Sequence, residues 1–444
     1  MIALTHKTST GILVGIIFLG MLLRIGSLTW NTFPHADVKG DTSIIANFIK
    51  TGRLWGEPPD SSALRHPSLF SADSRLGVPS LQHGPVWQVL GGGLSMLWRG
   101  STIADAFLAL RILSVLSGTA MIFLLWKVAK MFVHPSAALV CALWASLSFL
   151  LIDYSGNGAF YALQGSLYLV WILLAMRPST HRRAVMMGAL AGLAYLVNYQ
   201  AIILLPISIV LAWFPGPVRF RDGLLSAIIF TVAMSLVASP WLIRNAILVG
   251  DPFAHHLVNS GYIFSKSGIS STVIDYVYHF PSAWERYSAI LAMMITSWLP
   301  NNAFYIARKL FILAPIAFIF MSYGLIDQVL SSERRRKLLP VLLLFAAHAL
   351  ISAAWPVTKF RYFVPLLPLV FVLSAEALEH FFPRVRTRVL WYALITVAVV
   401  LCSFLTFLSV PTHTYYYDGA ITTDPFSSRG EWNFLRDNSL LSPS

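Results

Sequence analysis

Two aspartates and four cations stand out in an otherwise apolar chain, because they lie at or near the ends of apolar runs. Asp37 and Asp41 follow the first run, where a carboxylate could take a proton from a hydroxyl group delivered at a membrane surface. Asp41 also precedes Thr42, Ser43 and an apolar stretch, so a helix N-cap is an ordinary use of its side chain. Asp37 has no such local role, and it is the preferred general base, with Asp41 as the alternative.

The cations come from three other apolar runs and are Arg111, Arg244, Lys359 and Arg361. An ionised side chain within a membrane span is costly and usually faces a partner or a cavity. Taken singly, each of these cations could instead extend to lipid headgroups. Taken together they indicate a phosphate clamp, since guanidinium groups bind phosphate through paired hydrogen bonds.

Two further side chains are candidate substrate contacts. Asp153 stands at the predicted outer end of the third span, where solvation at the interface explains it equally well, and His83 opens an apolar stretch before Trp87. No HExxH or comparable ligand spacing and no nucleotide-binding loop occurs in the sequence. No metal site and no cofactor are therefore predicted, and a divalent metal is an alternative that no motif supports.

These residues must be positioned by membrane helices. Of the 444 residues, 57% are hydrophobic and 11% charged, and the mean hydropathy is +0.69, which excludes a water-soluble globule. Apolar runs of about 20 residues recur without the alternation of lipid-facing strands. The predicted fold is an all-α polytopic membrane protein with about eleven transmembrane helices, at 10–30, 103–132, 136–153, 158–176, 184–199, 200–214, 223–243, 308–330, 338–355, 361–381 and 389–410.

The placement of charge predicts how the chain sits in the bilayer. Alternate connections collect basic residues, including Lys127, Lys130, Arg177, Arg182, Arg183, Arg334, Arg335, Arg336 and Lys337. This asymmetry indicates a cytoplasmic N-terminus and an external C-terminus, in an integral multi-pass protein of the bacterial inner membrane. The net charge of +13 therefore reflects membrane orientation, and no nucleic-acid partner is predicted.

The predicted organisation is a transmembrane domain over residues 1–410 and a short external tail over 411–444. External loops at 31–102 and 244–307 are long enough to be functional. The first loop contains an amphipathic helix that ends near Gly52, and a glycine triplet at 91–93 that allows close packing. The segment 284–299 of the second loop is predicted as an interfacial or re-entrant helix, because a full span would move the basic cluster at 334–337 outside.

Four stretches, taken in order, resemble the GT-C class of membrane glycosyltransferases, in particular the family of dolichyl-phosphate-mannose protein mannosyltransferases and aminoarabinose transferases. Together with the span count and the two long loops, the likeness covers most of the chain. The four are the acid and helix of residues 37–52, His83-Gly84-Pro85-Val86-Trp87, Pro240-Trp241 through Arg244-Asn245 with the Gly-Asp-Pro-Phe of 250–253, and Arg361-Tyr362 with Pro365 and Pro368.

The resemblance implies transfer of a sugar from a polyprenyl-phosphate carrier to a hydroxyl or amine acceptor on the external face, with inversion. The base would be Asp37, while Arg244 and Arg361, together with Lys359, would hold the phosphate. The Asp-Glu pair and downstream Tyr usual in the family are absent, which keeps Asp41 open as the base. The acceptor, a lipid, glycan or protein, and any partner membrane subunits are not assigned by these motifs.

Two other classes of function fit the same composition. A transporter or lipid flippase would have related halves and ionisable residues near mid-membrane, and neither feature is evident in the sequence. A catalytically silent structural subunit of a membrane complex is compatible with the incomplete acidic motif. A pocket that joins the acid to two cations would favour the enzyme over both alternatives.

Overall fold

A computed structural model describes residues 6–29, 36–56, 78–79, 83–214, 219–249, 252–253, 283–330, 332–354, 360–382 and 384–409. The helices of the first half are α1 His6–Ser27, α2 Ala36–Thr51, α3 Pro85–Leu97, α4 Ile103–Ala129, α5 Pro135–Leu147, α6 Phe149–Gly156, α7 Tyr161–Ala175 and α8 His181–Val197. Those of the second half are α9 Leu204–Val210, α10 Phe220–Val249, α11 Ala283–Met293, α12 Leu299–Leu313, α13 Pro315–Leu330, α14 Ser332–Ala353, α15 Leu367–Phe381 and α16 Val385–Ser409.

Short elements link some of these helices. The 3-10 turns are Tyr199–Ile203, Leu211–Trp213 and Phe360–Phe363, and a π-helical turn spans Met294–Trp298. The strands β1 Trp55–Gly56 and β2 Val78–Pro79 form one antiparallel pair. Residues 361–375 are buried without interruption, so α15 lies in the centre of the bundle, as expected of a helix that is apolar all round.

Five described helices are long and apolar enough to cross a membrane, judged by length and composition, and they are Ser9–Ser27, Ile103–Ala129, Phe220–Leu248, Arg334–Ala353 and Arg386–Leu405. The pair α5 and α6 meets the same test as one span bent by 56°. Shorter apolar helices cover Tyr161–Ala175, Tyr199–Trp213 and Pro315–Asp327. The chain is an integral membrane protein with an all-α fold, and the total of eleven spans stays a prediction.

Two of the predicted spans are interrupted. The span at 136–153 breaks at Ser148, where Ser403 of α16 accepts from the Phe149 amide over 2.9 Å and donates to the Leu147 carbonyl over 3.0 Å. The backbone groups at the break are thus hydrogen-bonded by a neighbouring helix, because a bilayer offers no water to bind them. The span at 308–330 breaks at Ala314, directly before Pro315, which disfavours the helical conformation at the preceding residue.

The helix of the first predicted loop begins earlier than the sequence indicates. We predicted an N-cap at Asp41, and this prediction is wrong, because α2 starts at Ala36 and Asp41 lies inside it. Its carboxylate bonds to side chains at the start of α3, and these tertiary contacts replace the predicted cap. The predicted end is confirmed, since Gly52 follows the helix with a φ of +70°.

The glycine triplet of α3 allows the close packing that its sequence predicts. A Cβ added at Gly91 would lie 2.7 Å from both Ile45 Cδ1 of α2 and Leu110 Cδ2 of α4. One added at Gly92 would lie 2.9 Å from Phe48 Cδ1. These contacts bring α2 and α3 together against α4, and the start of α3 reaches the side chain of Asp41.

Candidate functional site

The site is built around Asp41, whose buried carboxylate is held by two side chains from the start of α3. Gln88 Nε2 donates to Oδ1 over 2.8 Å, and His83 Nδ1 lies 3.1 Å from Oδ1 and 3.2 Å from Oδ2. A carboxylate only accepts hydrogen bonds, so His83 carries its hydrogen on Nδ1. In the neutral ring Nε2 is then the basic nitrogen.

His83 is fixed by its backbone as well as by its ring. Its carbonyl accepts a hydrogen bond of 3.0 Å from the Tyr199 hydroxyl, and Phe160 meets its imidazole edge-on with 5.2 Å between centroids. The next residue, Gly84, lies so close to α8 that an added Cβ would be 2.0 Å from the Leu196 carbonyl oxygen. Only glycine fits here, which ties the start of α3 to the end of α8.

Arg244 of α10 joins the same set of contacts. Trp241 Nε1 donates to the Tyr199 hydroxyl over 2.9 Å, and the Arg244 guanidinium lies 4.1 Å from the centre of the Trp241 ring. The guanidinium also donates to Asn245 Oδ1 over 2.9 Å and to the Leu54 carbonyl over 3.1 Å. Side chains from α2, α3, the Tyr199 turn and α10 are thereby connected, with a carboxylate at one end and a guanidinium at the other.

Arg361 lies on the buried Phe360–Phe363 turn, with its guanidinium 5.5 Å from the centre of the Tyr362 ring. Sequence reasoning missed a second cation at this turn: Lys309 of α12 has its ammonium 4.9 Å from the centre of the Phe360 ring. No motif singles out Lys309, and its position at the edge of the predicted span 308–330 was the available signal.

Arg111 and Asp153 lie beside this region. Arg111 donates from Nε to the Gly156 carbonyl over 3.1 Å and also donates to the Leu28 carbonyl, so its described hydrogen bonds tie α4 to the ends of α1 and α6. Asp153 is fully buried on α6. The backbone of Asp37 lies in the first turn of α2, and the next residue, Val38, packs near Gly158.

Some candidates fall outside what the structure describes, namely the side chain of Asp37 and all of Lys359, as do residues 250–251 and 254–282 of the loop 244–307 and the whole tail 411–444. Within the described part of the chain, no group of three or more His, Cys, Asp or Glu side chains is arranged to hold a metal ion.

The comparisons with known proteins agree with this architecture. The family model for dolichyl-phosphate-mannose-protein mannosyltransferase matches residues 96–243. No curated protein sequence matches the chain. A solved oligosaccharyltransferase of Archaeoglobus fulgidus, crystallised with zinc and sulfate, has a TM-score of 0.59 at 15% identity, over 98% of this chain and 56% of that one. The resemblance to the GT-C class of glycosyltransferases is confirmed.

Two further structures are similar. The archaeal oligosaccharyltransferase AglB from Archaeoglobus fulgidus, in complex with an inhibitory peptide and a dolichol-phosphate, has a TM-score of 0.59 at 15% identity, over 89% of this chain and 55% of that one. ArnT from Cupriavidus metallidurans, bound to undecaprenyl phosphate, has a TM-score of 0.49 at 14% identity, over 92% of this chain and 75% of that one. At such identities the likeness concerns the fold, and this chain spans only a little over half the length of the archaeal enzymes.

Proposed function

We propose that this protein is a glycosyltransferase that moves a sugar from a polyprenyl-phosphate donor to an acceptor on the external face of the membrane, with inversion at the anomeric carbon. The observation that carries the proposal is the connected set of contacts from Asp41 through His83, Tyr199 and Trp241 to Arg244. It joins the helix of the first loop to α10, which are the two regions that must meet if a base and a phosphate group share a pocket.

In the proposed reaction Asp37 removes the proton from the acceptor hydroxyl or amine. The acceptor atom then forms a bond to the anomeric carbon, while the bond from that carbon to the phosphate oxygen breaks. The electron pair leaves with the polyprenyl phosphate, whose charge is stabilised by Arg244 and Arg361, together with Lys359. Transfer in one step on the face opposite the leaving group inverts the anomeric centre and requires no second carboxylate as nucleophile.

The contacts of Asp41 favour Asp37 as the base over Asp41. The Asp41 carboxylate is buried and already accepts hydrogen bonds from Gln88 and His83. A carboxylate held in this way is suited to orienting His83 rather than to approaching a substrate. Asp37 lies one turn earlier on α2, where it would face the acceptor in this proposal.

The test is transfer of radiolabelled sugar from polyprenyl-phosphate donors in membranes that contain the wild type, Asp37→Asn or Asp41→Asn. We expect Asp37→Asn to reduce transfer by about 100-fold or more, the range for loss of a general base. Asp41→Asn should reduce it by about tenfold, because the amide still reaches Gln88 and His83 but no longer fixes the histidine hydrogen on Nδ1.

Asp222→Asn is the matched control, since Asp222 is exposed in the first turn of α10, 22 residues or about 33 Å from Arg244 along the helix. It should transfer at the wild-type rate. Wild-type transfer that survives both Asp37→Asn and Asp41→Asn would overturn the mechanism. If the wild type is inert with every donor, the structural-subunit alternative replaces the enzyme.

A further inference from the structure

A second set of buried polar side chains lies between α7, α8 and α14, and the proposed reaction does not use it. Asn198 Nδ2 donates to Gln164 Oε1 over 2.8 Å, and Gln164 Nε2 donates to the Tyr168 hydroxyl over 3.0 Å. The Tyr168 hydroxyl lies 3.3 Å from His348 Nδ1, and His348 Nε2 lies 3.0 Å from the Tyr362 carbonyl oxygen. We call this chain of four hydrogen bonds the relay.

All four hydrogen bonds of the relay run the same way, so that each member donates to the next, from Asn198 to the Tyr362 carbonyl. Because the Tyr362 carbonyl can only accept, His348 carries its hydrogen on Nε2, and Nδ1 of the neutral ring accepts from the Tyr168 hydroxyl. Gln164, Tyr168 and His348 are all fully buried. Removal of one member would leave the next buried group without its hydrogen bond, so the members hold one another in place.

Both ends of the relay lie at the candidate site. Asn198 also accepts from the Gln200 amide over 3.1 Å and so caps the turn that carries Tyr199, the residue in contact with His83 and Trp241. At the other end, Tyr362 directly follows Arg361 on the Phe360–Phe363 turn. The relay therefore connects the turn that carries Tyr199 with the turn that carries Arg361.

Helix α7 also packs directly against the segment that follows Arg361. Gly165, the neighbour of Gln164, faces this segment, and an added Cβ would be in ordinary van der Waals contact with it, 3.5 Å from Pro365 Cα and 3.8 Å from the Val364 carbonyl oxygen. The segment after Arg361 is thus packed on α7 at the level of the relay. Apolar packing fixes its distance, and the hydrogen bond from His348 fixes the orientation of its carbonyl.

We propose that His348 is a positioning residue for Arg361, which it places for the donor phosphate by holding the Tyr362 carbonyl. Through Tyr168, Gln164 and Asn198, the same residue keeps that turn in register with Tyr199 and the base side of the site. This inference rests on the proposed function, in which Arg361 contacts the phosphate of a polyprenyl-phosphate sugar. His348 itself does not touch the substrate.

Two isosteric variants separate the hydrogen bonds of His348. The side-chain amide of His348→Gln reaches the position of Nε2 and can still donate to the Tyr362 carbonyl. The amide of His348→Asn ends near Nδ1 and keeps only the contact with Tyr168. Ser352→Ala is the matched control, because Ser352 is fully buried one turn further along α14 and its hydroxyl has no hydrogen-bond partner among the described residues.

Initial rates of sugar transfer, measured with the purified full chain in lipid against varied donor, provide the first readout. We expect His348→Asn to raise the donor KM by about tenfold, which corresponds to one net hydrogen bond, with little change in kcat. His348→Gln and Ser352→Ala should stay within about threefold of the wild type. Equal donor KM values for the wild type, His348→Asn and His348→Gln would overturn the inference, as would a fall in kcat alone.

Backbone hydrogen exchange over residues 360–366 gives a readout that does not depend on activity. His348→Asn should accelerate exchange in this segment, and His348→Gln and Ser352→Ala should not. Accelerated exchange with an inert wild type would mean that the proposed function fails while the positioning contact stands. Unchanged exchange in His348→Asn, with an active wild type, would mean that the positioning role fails while the proposed function stands.

Discussion

The two ends of α14 hold their neighbours by different means. His348 lies at one end, and Arg334 lies 14 residues earlier, about 21 Å away along the helix axis. Arg334 donates from Nε to Glu376 Oε1 over 3.1 Å and from Nη2 to Glu376 Oε2 over 2.6 Å, and it also pairs with Asp327. His348 instead joins hydroxyl, amide and carbonyl groups.

The charged end is a set of ion pairs between helices. Besides Arg334, it includes Arg388 with Glu379 at 3.7 Å, and His380 Nε2 lies 3.6 Å from Asp327 Oδ2 beside them. Opposite charges at these distances hold α13, α14, α15 and α16 together and neutralise one another. At the site end, neutral donors and acceptors give each side chain a defined direction, which is what a reaction centre needs. Substitutions at the charged end should therefore cost stability, and those at the site end should cost transfer.

The largest expected effect is a contrast between Arg361, on the turn that His348 contacts, and Arg334 at the charged end of α14. Arg361→Ala should lower kcat/KM for the donor by about 100-fold, because the charge-assisted hydrogen bonds from its guanidinium to the phosphate contribute about 3 kcal/mol. Arg334→Ala should lower the free energy of unfolding by about 2 kcal/mol, because Glu376 and Asp327 lose their shared partner, and leave the donor KM unchanged.

Transfer kinetics and thermal unfolding of both variants in the same lipid measure this contrast. Glu376→Gln added to Arg334→Ala should recover part of the lost stability, since an unpaired carboxylate is removed. The contrast between the two ends is refuted if Arg334→Ala raises the donor KM as much as Arg361→Ala does.

A smaller effect is expected from the backbone that holds His83. The Cβ of Gly84→Ala would meet the Leu196 carbonyl at 2.0 Å, so α3 must move away from α8 and carry His83 with it. We expect a loss of about 2 kcal/mol in unfolding free energy and a fall of about tenfold in transfer. Thermal unfolding and transfer rate are the measurements.

Gly93→Ala on the same helix is the control for this substitution. An added Cβ at Gly93 meets nothing within 4 Å, and alanine is the better helix former, so this variant should be neutral or more stable by up to about 1 kcal/mol. Equal effects of the two alanines would show that α3 tolerates the shift and that the position of His83 is not critical.

The sequence predicts those parts of the fold that depend on local pattern. Apolar runs identify α1, α4 and α10, and the helix does break between the predicted spans 184–199 and 200–214, where the Asn198 side chain caps the following turn. The glycine triplet likewise indicates close packing of α3. These features arise from neighbours along the chain, which a single sequence contains.

Contacts between distant residues explain what the sequence could not predict. The break at Ser148 has no proline or glycine beside it and is stabilised by Ser403, more than 250 residues away. Asp41 looks like a helix cap until His83, 42 residues later, is placed against its carboxylate. The same holds for His348. In the sequence it is a single histidine in an apolar run, and its role becomes evident only when its contacts with Tyr168 and Tyr362 are known.

The smallest expected effect concerns Lys309, the cation that lies against Phe360 beside the Arg361 turn. Lys309→Met keeps an unbranched side chain over the ring but removes the charge. We expect the donor KM to rise by about threefold, because the lost electrostatic contribution to donor binding is less than about 1 kcal/mol. The matched control is Arg308→Met, since Arg308 is the exposed neighbour on the same helix. If both variants raise the donor KM equally, the general positive charge of α12 acts on the donor, and Lys309 has no specific place in the site. If Lys309→Met alone acts, and only while Arg361 is present, the two cations work on one phosphate.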